Sequence, residues 1–263
     1  MAQTLAEIRE ALKTANRAEY EALARALAAD ERKGVKAALK SAARRFAAED
    51  AEAARLEGMY SFQAKLAGGG IAVGLDEVGR GPVAGPLAIG AVVLPDDPRV
   101  EGVNDSKQLS AERREEIAAV VREVAIAWDI EYIQPQEIDE HGMTWALRTA
   151  NLRAIAAIEE QLSAKGASLD AVLLDGNAQH LDAREVNIVK GDGKCASIAA
   201  ASIIAKVDRD ALMCRYAERF PHYGFESNKG YASAEHIEAI KQYGLSPVHR
   251  ASFCRAWTQE TLF

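Results

Sequence analysis

The sequence predicts an α/β protein with a helical N-terminal appendage, and three observations predict it. Before residue 70 the chain is rich in Ala, Glu, Lys and Arg and holds no Pro, whereas beyond it short apolar runs alternate with helix-like stretches. The change is punctuated by 68-GGG-70. Carboxylates then recur where the apolar runs end, at 74-GLDEVG-79 and 171-AVLLDGN-177. A chain of 263 residues, 49% of them hydrophobic, has enough material for a sizeable core.

Taken in order, Thr4 and Glu7 have the spacing of a capping box and start a helix containing Leu5, Ile8 and Leu12. Val35, Leu39, Ala42, Phe46, Ala53, Leu56 and Tyr60 then follow a helix face, so residues 1–70 read as a helical extension of two or three helices. Lys33, Lys36, Lys40 and Arg44 recur at intervals of three or four, which suits either a solvated face or a stripe against a nucleic-acid backbone.

Residues 71–263 read as a second domain that includes a C-terminal helical segment. Strands are expected at 71–77, 87–94, 124–133, 171–175 and 184–189, and helices near 111–123, 136–163, 195–219 and 233–243. Between the second strand and the next helix, 95–110 forms a polar loop containing 104-NDSKQLS-110. The alanine-rich 196-ASIAAASIIA-205 suits a helix packed closely on the sheet.

The formal charge is -7, yet residues 1–70 carry 12 Lys and Arg against 10 Asp and Glu, so the acidity lies in the second domain. That argues against coating nucleic acid by general attraction and leaves room for divalent cations in an acidic body. Three cysteines without a CxxC pair argue against zinc, and no apolar run is long enough for a membrane span. With no signal-peptide pattern either, a cytoplasmic monomer with no membrane attachment is expected.

Asp76, Glu77, Asp175 and Asp192 all sit at strand exits or strand-to-loop junctions. Successive side chains of a strand point to opposite faces, so Asp76 and Glu77 should diverge unless the following glycines bend the chain. Carboxylate oxygens suit Mg²⁺ or Mn²⁺, and two such ions would activate water on one side of a phosphodiester and stabilise the departing oxygen on the other. The alternative is that individual acids cap helices or line loops.

Five segments, 74-GLDEVGRGPVAGP-86, 104-NDSKQLS-110, 173-LLDGN-177, 190-KGDGKCASIAAASIIAKVDRD-210 and 224-GFESNKGY-231, resemble prokaryotic ribonuclease HII in order and character across residues 71 to 256. The resemblance implies a ribonuclease H-like mixed β-sheet flanked by helices. It also implies a Mg²⁺- or Mn²⁺-dependent endonuclease acting on RNA/DNA hybrids and on ribonucleotide-containing duplex DNA. It would cut 5′ to the ribonucleotide and leave 3′-hydroxyl and 5′-phosphate ends. The implied metal ligands and catalytic residues are Asp76, Glu77, Asp175 and Asp192. Gly79, Arg80 and Gly81 are the implied ribose-sensing loop, where a glycine side chain's absence would let the backbone approach a 2′-hydroxyl. Tyr231 is the implied platform for the sugar of the following deoxynucleotide. The family commonly has His before KGY; this chain has Asn228.

Lys107 is the expected phosphate contact, with Asn104 and Ser106 as further polar substrate contacts. Lys194 and Lys206 suit either phosphate or structural pairing. Cys195 reads as packing at a helix start, and His249 as packing or an approach to the site. Two rival functions share parts of this pattern: a carboxylate nuclease of DNA junctions, and a hybrid-binding protein without catalysis.

Overall fold

Thr4 and Glu7 close the capping box: the Thr4 hydroxyl accepts from the Glu7 N–H at 3.3 Å, and the Glu7 carboxylate accepts from the Thr4 N–H at 2.7 Å. They start α1 (Leu5–Thr14), and a second box of Asn16 with Glu19 starts α2 (Arg17–Ala26). A single long helix, α3 (Lys33–Leu66), follows. The structure is a computed structural model and describes residues 3–258.

The chain divides into two compact units, one through Glu57 and one from Gly58, so the division falls within α3. In the first unit Ile8, Leu12, Val35 and Ala42 form a core, joined by Leu5, Tyr20, Leu23 and Leu39. Ala53 departs from the expected apolar face and is exposed. Lys33, Lys36, Lys40 and Arg44 are all exposed, and Lys36 pairs with Glu31 at 2.6 Å.

The second unit begins with the end of α3, where Met59 and Tyr60 are buried. Its elements run β1 (Ala72–Val78), β2 (Leu87–Val93), α4 (Ala111–Val124), β3 (Ala127–Ile133), α5 (Pro135–His141), α6 (Met143–Ser163), β4 (Ala171–Asp175), β5 (Glu185–Ile188), α7 (Ala196–Arg219), α8 (Phe225–Asn228), α9 (Ala234–Tyr243) and α10 (Arg255–Thr258). The strands form one mixed sheet in the order β3-β2-β1-β4-β5. β1 to β3 are antiparallel neighbours, while β1, β4 and β5 run parallel.

Two boundaries differ from the sequence reading for physical reasons. The apolar run at 124–127 fits strand or helix alike, and Val124 ends α4, with the Ala125 N–H closing its last turn on the Val121 carbonyl at 2.9 Å. The helix expected over 136–163 is two, broken at Gly142, whose φ is +82°.

Val73, Leu75, Val172 and Leu174 point to the face covered by α6, together with Ile155 and Ile158. The opposite face meets α7, whose alanines allow unusually close approach. A Cβ at Gly74 would run into the Ser197 and Ile198 backbone, and one at Gly90 into the Ala201 carbonyl. Side chains at those two positions would lift α7 from the sheet. The start of α7 is held from a distance: Cys195 supplies no side-chain cap, and Gln63 Oε1 on α3 accepts from the Ser197 N–H at 2.9 Å.

Candidate active site

The sheet register builds the site. Leu75 pairs with Leu174 across the parallel β1 and β4 strands, so Asp76 and Asp175 follow one residue later on neighbouring strands. Asp76 is buried on the α7 face, where the Ser202 hydroxyl of α7 opposes the upward shift of its carboxyl group. Ser106 in turn lies 3.0 Å from Ser202, oxygen to oxygen.

Glu77 points the other way, as strand alternation requires. It lines a cleft of about 460 Å³ with Arg80, Thr144, Leu147, Arg148, Asp175 and Asn177. Asp175 is thus the acid shared by both faces. Its Oδ1 also accepts from the Gly191 N–H at 2.6 Å, tying the loop that carries Asp192 to β4.

The electrostatics match this convergence. Burial first, then repulsion from Asp175, Glu77 and Asp192, raises Asp76 to about 7. Burial and Asp175 also push Glu77 up, against the opposing pull of Arg80. Asp192 is raised by burial and by Asp105 and Asp175, with Lys107 opposing. Like charges held together in a half-dry site favour protonation or a cation. The donor set is oxygen-only, as a hard divalent ion requires. Among the described residues no three His, Cys, Asp or Glu side chains stand already grouped to hold a metal ion. The acids are nonetheless coupled in charge.

The segment after β1 is fixed by two wholly buried arginines that sequence reasoning did not assign. Arg250 donates to the carbonyls of Gly79 at 2.6 Å, Arg80 at 3.1 Å and Gly85 at 3.0 Å. Arg209 donates to Pro86 at 2.9 Å, Lys229 at 3.0 Å and Ala84 at 3.1 Å. Burial, and then the neighbouring Arg209, lowers Arg250 to about 9. The only sequence trace of the pair is an Arg within 207-VDRD-210 and another in 249-HR-250, because main-chain partners leave no side-chain pattern.

Gly79 is glycine for a reason on the protein side: its φ is +88°, and a Cβ would run into Arg209 Nε. At Gly81 a Cβ would instead meet Tyr231 Cε1 at 3.7 Å, so the tyrosine ring lies against the loop. Tyr231 is 52% exposed. Asn228 shapes its approach by donating to the Tyr223 carbonyl at 2.6 Å and accepting from the Gly230 N–H at 2.8 Å.

The remaining expected contacts separate. Lys107 is 80% exposed, with Nζ 3.8 Å from Asp192 and 3.9 Å from Asp105. Arg80 is also open and pairs with Glu77 at 3.4 Å. Asn104 turns inward on its loop, accepting from the Asp105 N–H. Ser106 differs from the surface contact expected: it is buried, its hydroxyl on Ser202 and its carbonyl accepting from Arg114. Lys194 donates to the Val189 carbonyl and Lys206 pairs with Asp210. Cys195 is buried beside Gln63.

A mixed sheet with acids at the exits of its central β1 and β4 strands, covered by α6 and α7, is a ribonuclease H-like architecture. Within that class the chain belongs to the ribonuclease HII family. The family model described as ribonuclease HII matches residues 73–256, and one described as the ribonuclease HII N-terminal domain matches residues 4–67. The ribonuclease HII of Clostridium acetobutylicum is 41% identical over 232 residues, covering 86% of this chain and 88% of that one. That of Ruminiclostridium cellulolyticum is 43% identical over 212 residues, covering 80% and 81%. The crystal structure of ribonuclease H2 from Pyrococcus horikoshii superposes with a TM-score of 0.59 at 28% identity, covering 71% of this chain and 96% of that chain.

Proposed function

We propose that this chain is a Mg²⁺- or Mn²⁺-dependent endoribonuclease that hydrolyses RNA in RNA/DNA hybrids and cuts 5′ to ribonucleotides embedded in duplex DNA. The observation that carries this reading is the adjacency of the Gly79–Arg80–Gly81 loop and Tyr231 to the acids. Gly81 lies against Tyr231, while Arg80, one residue earlier, pairs with Glu77 at 3.4 Å. A 2′-hydroxyl held by the loop backbone would therefore set its own phosphate next to the carboxylates. Membership of the ribonuclease HII family supports the same substrate class.

Asp76, Glu77, Asp175 and Asp192 are the residues that would hold divalent ions. When bound, such ions supply Lewis acidity toward the attacking water and neutralise charge at the leaving oxygen. The protein's own part is placement. The 79–81 backbone, its carbonyls fixed by Arg250, presents its outward groups to the ribose. The exposed Tyr231 ring stacks on the next sugar and limits its drift. Lys107 and Arg80 contact phosphate, Arg80 by leaving Glu77. None of these contacts reads a base edge, so selectivity rests on the sugar.

The test is substitution at the two central acids. Asp76→Asn and Asp175→Asn keep side-chain shape but remove an anionic oxygen. Each should lower cleavage by about a hundredfold or more at saturating Mg²⁺ or Mn²⁺ while circular dichroism stays native. Native rates in either variant would reject the assignment.

A further inference from the structure

Behind the main chain of Tyr231 two buried histidines meet, and the hydrogen bonds at either end fix which nitrogen of each carries its proton. The Ser246 backbone N–H, which can only donate, reaches His249 Nδ1 at 2.9 Å, so that nitrogen accepts. Neutral His249 then bears its proton on Nε2, 3.0 Å from Nε2 of His236. At the far end His236 Nδ1 is 2.7 Å from the Tyr231 carbonyl, which can only accept. His236 is therefore protonated on Nδ1 and accepts through Nε2, and all contacts agree on a single direction of donation. The rings of Tyr223 and Phe225 pack around both imidazoles.

The relay connects two parts of the site that are far apart in sequence. The His249 backbone bridges Ala84, directly behind the ribose-sensing loop, and the next residue, Arg250, holds the Gly79 and Arg80 carbonyls. Its other end grips Tyr231 by the main chain, which matters because that residue is half exposed.

We propose that the Ser246–His249–His236 relay sets Tyr231 against the Gly79–Arg80–Gly81 loop, making the two histidines positioning residues for the choice of a ribonucleotide. The inference rests on the reading of Tyr231 as the sugar platform. A displaced platform would let the scissile phosphate drift from the acids, lowering the cleavage rate more than binding.

Two measurements test it on the full-length protein. Long-range ¹H–¹⁵N NMR of the native chain at neutral pH should show His249 as the Nε2–H tautomer and His236 as the Nδ1–H tautomer; the opposite tautomer at either ring overturns the relay without any variant. Single-turnover cleavage of a duplex with one ribonucleotide should then fall about tenfold in His236→Phe, with substrate affinity changed less than about twofold. His236→Asn, which returns a donor at the position of Nδ1, should recover most of the rate. In a Tyr231→Ala background His236→Phe should have no further effect. If Tyr231→Ala is impaired while His236→Phe cleaves like the native protein, the relay fails and the platform stands. If Tyr231→Ala itself cleaves like the native protein, the platform reading fails and takes the relay with it.

Discussion

Arg250 Nη2 donates to the Gly79 carbonyl at 2.6 Å from a side chain with no solvent exposure. A buried cation is tolerated here because carbonyl oxygens, rather than a carboxylate, satisfy its fork. Each charge-assisted bond of this kind contributes about 1.5–3 kcal/mol. Arg250→Lys replaces the planar fork with one ammonium and leaves carbonyls orphaned. Urea denaturation should show a loss of about 2–4 kcal/mol, and a native midpoint would contradict the clamp.

The two loop glycines should separate stability from activity. Gly79→Ala places a methyl against Arg209 in a left-handed backbone, and should destabilise by about 1–3 kcal/mol. Gly81→Ala meets Tyr231 at an ordinary 3.7 Å and should leave thermal stability nearly unchanged. Its cleavage of a single embedded ribonucleotide should nevertheless fall, because the methyl sits between loop and platform. Equal effects of the two substitutions on melting temperature would refute this division.

The histidine pair also predicts acid sensitivity. Burial, then the neighbouring His236, lowers His249 to about 4, and burial lowers His236 as well. An unfolded histidine takes up its proton near pH 6.5, so between there and pH 4 the unfolded chain binds the extra proton. The stabilising contribution is complete above pH 6.5 and is lost as pH falls toward 4. Within that window native stability should decline, relative to His249→Phe, by up to about 1.4 kcal/mol per pH unit for the one proton. Parallel stability curves for the two proteins would contradict the shift.

The junction within α3 gives a prediction about truncation. Tyr60 accepts from the Val100 N–H at 3.0 Å, and Gln63 caps α7. Removing residues 1–57 should leave a folded second unit, whereas removing 1–68 also deletes these two partners and should cost about 1–3 kcal/mol more by chemical denaturation. If Lys33, Lys36, Lys40 and Arg44 touch backbone phosphates, the shorter deletion should also flatten the salt dependence of hybrid binding. Equal stability of the two truncations would argue against the Gln63 cap.

What was legible in the sequence follows from how each contact is made. Asp76 and Asp175 stood out because an acid ending an apolar run has few structural reasons to be there. The close packing of α7 was visible in 196-ASIAAASIIA-205. Gln63 was hidden because its partner lies 134 positions away and is a backbone N–H. Arg209 and Arg250 were hidden for a similar reason, their partners being carbonyls. Ser106 looked like a surface contact because the NDSK loop is polar, yet its hydroxyl turns inward to Ser202 and so to Asp76. The helix break at Gly142 was missed because the apolar period on either side of it continues across.

The most direct test compares two duplexes of identical sequence, one all-DNA and one with a single ribonucleotide, in single-turnover cleavage with Mg²⁺ or Mn²⁺ supplied separately and both product ends mapped. The expected result is one cut, 5′ to the ribonucleotide, leaving 3′-hydroxyl and 5′-phosphate ends, and no cleavage of the all-DNA duplex. Cleavage of both duplexes at similar rates, or a cut elsewhere, would contradict a site in which Gly79, Arg80, Gly81 and Tyr231 read the sugar beside the carboxylates.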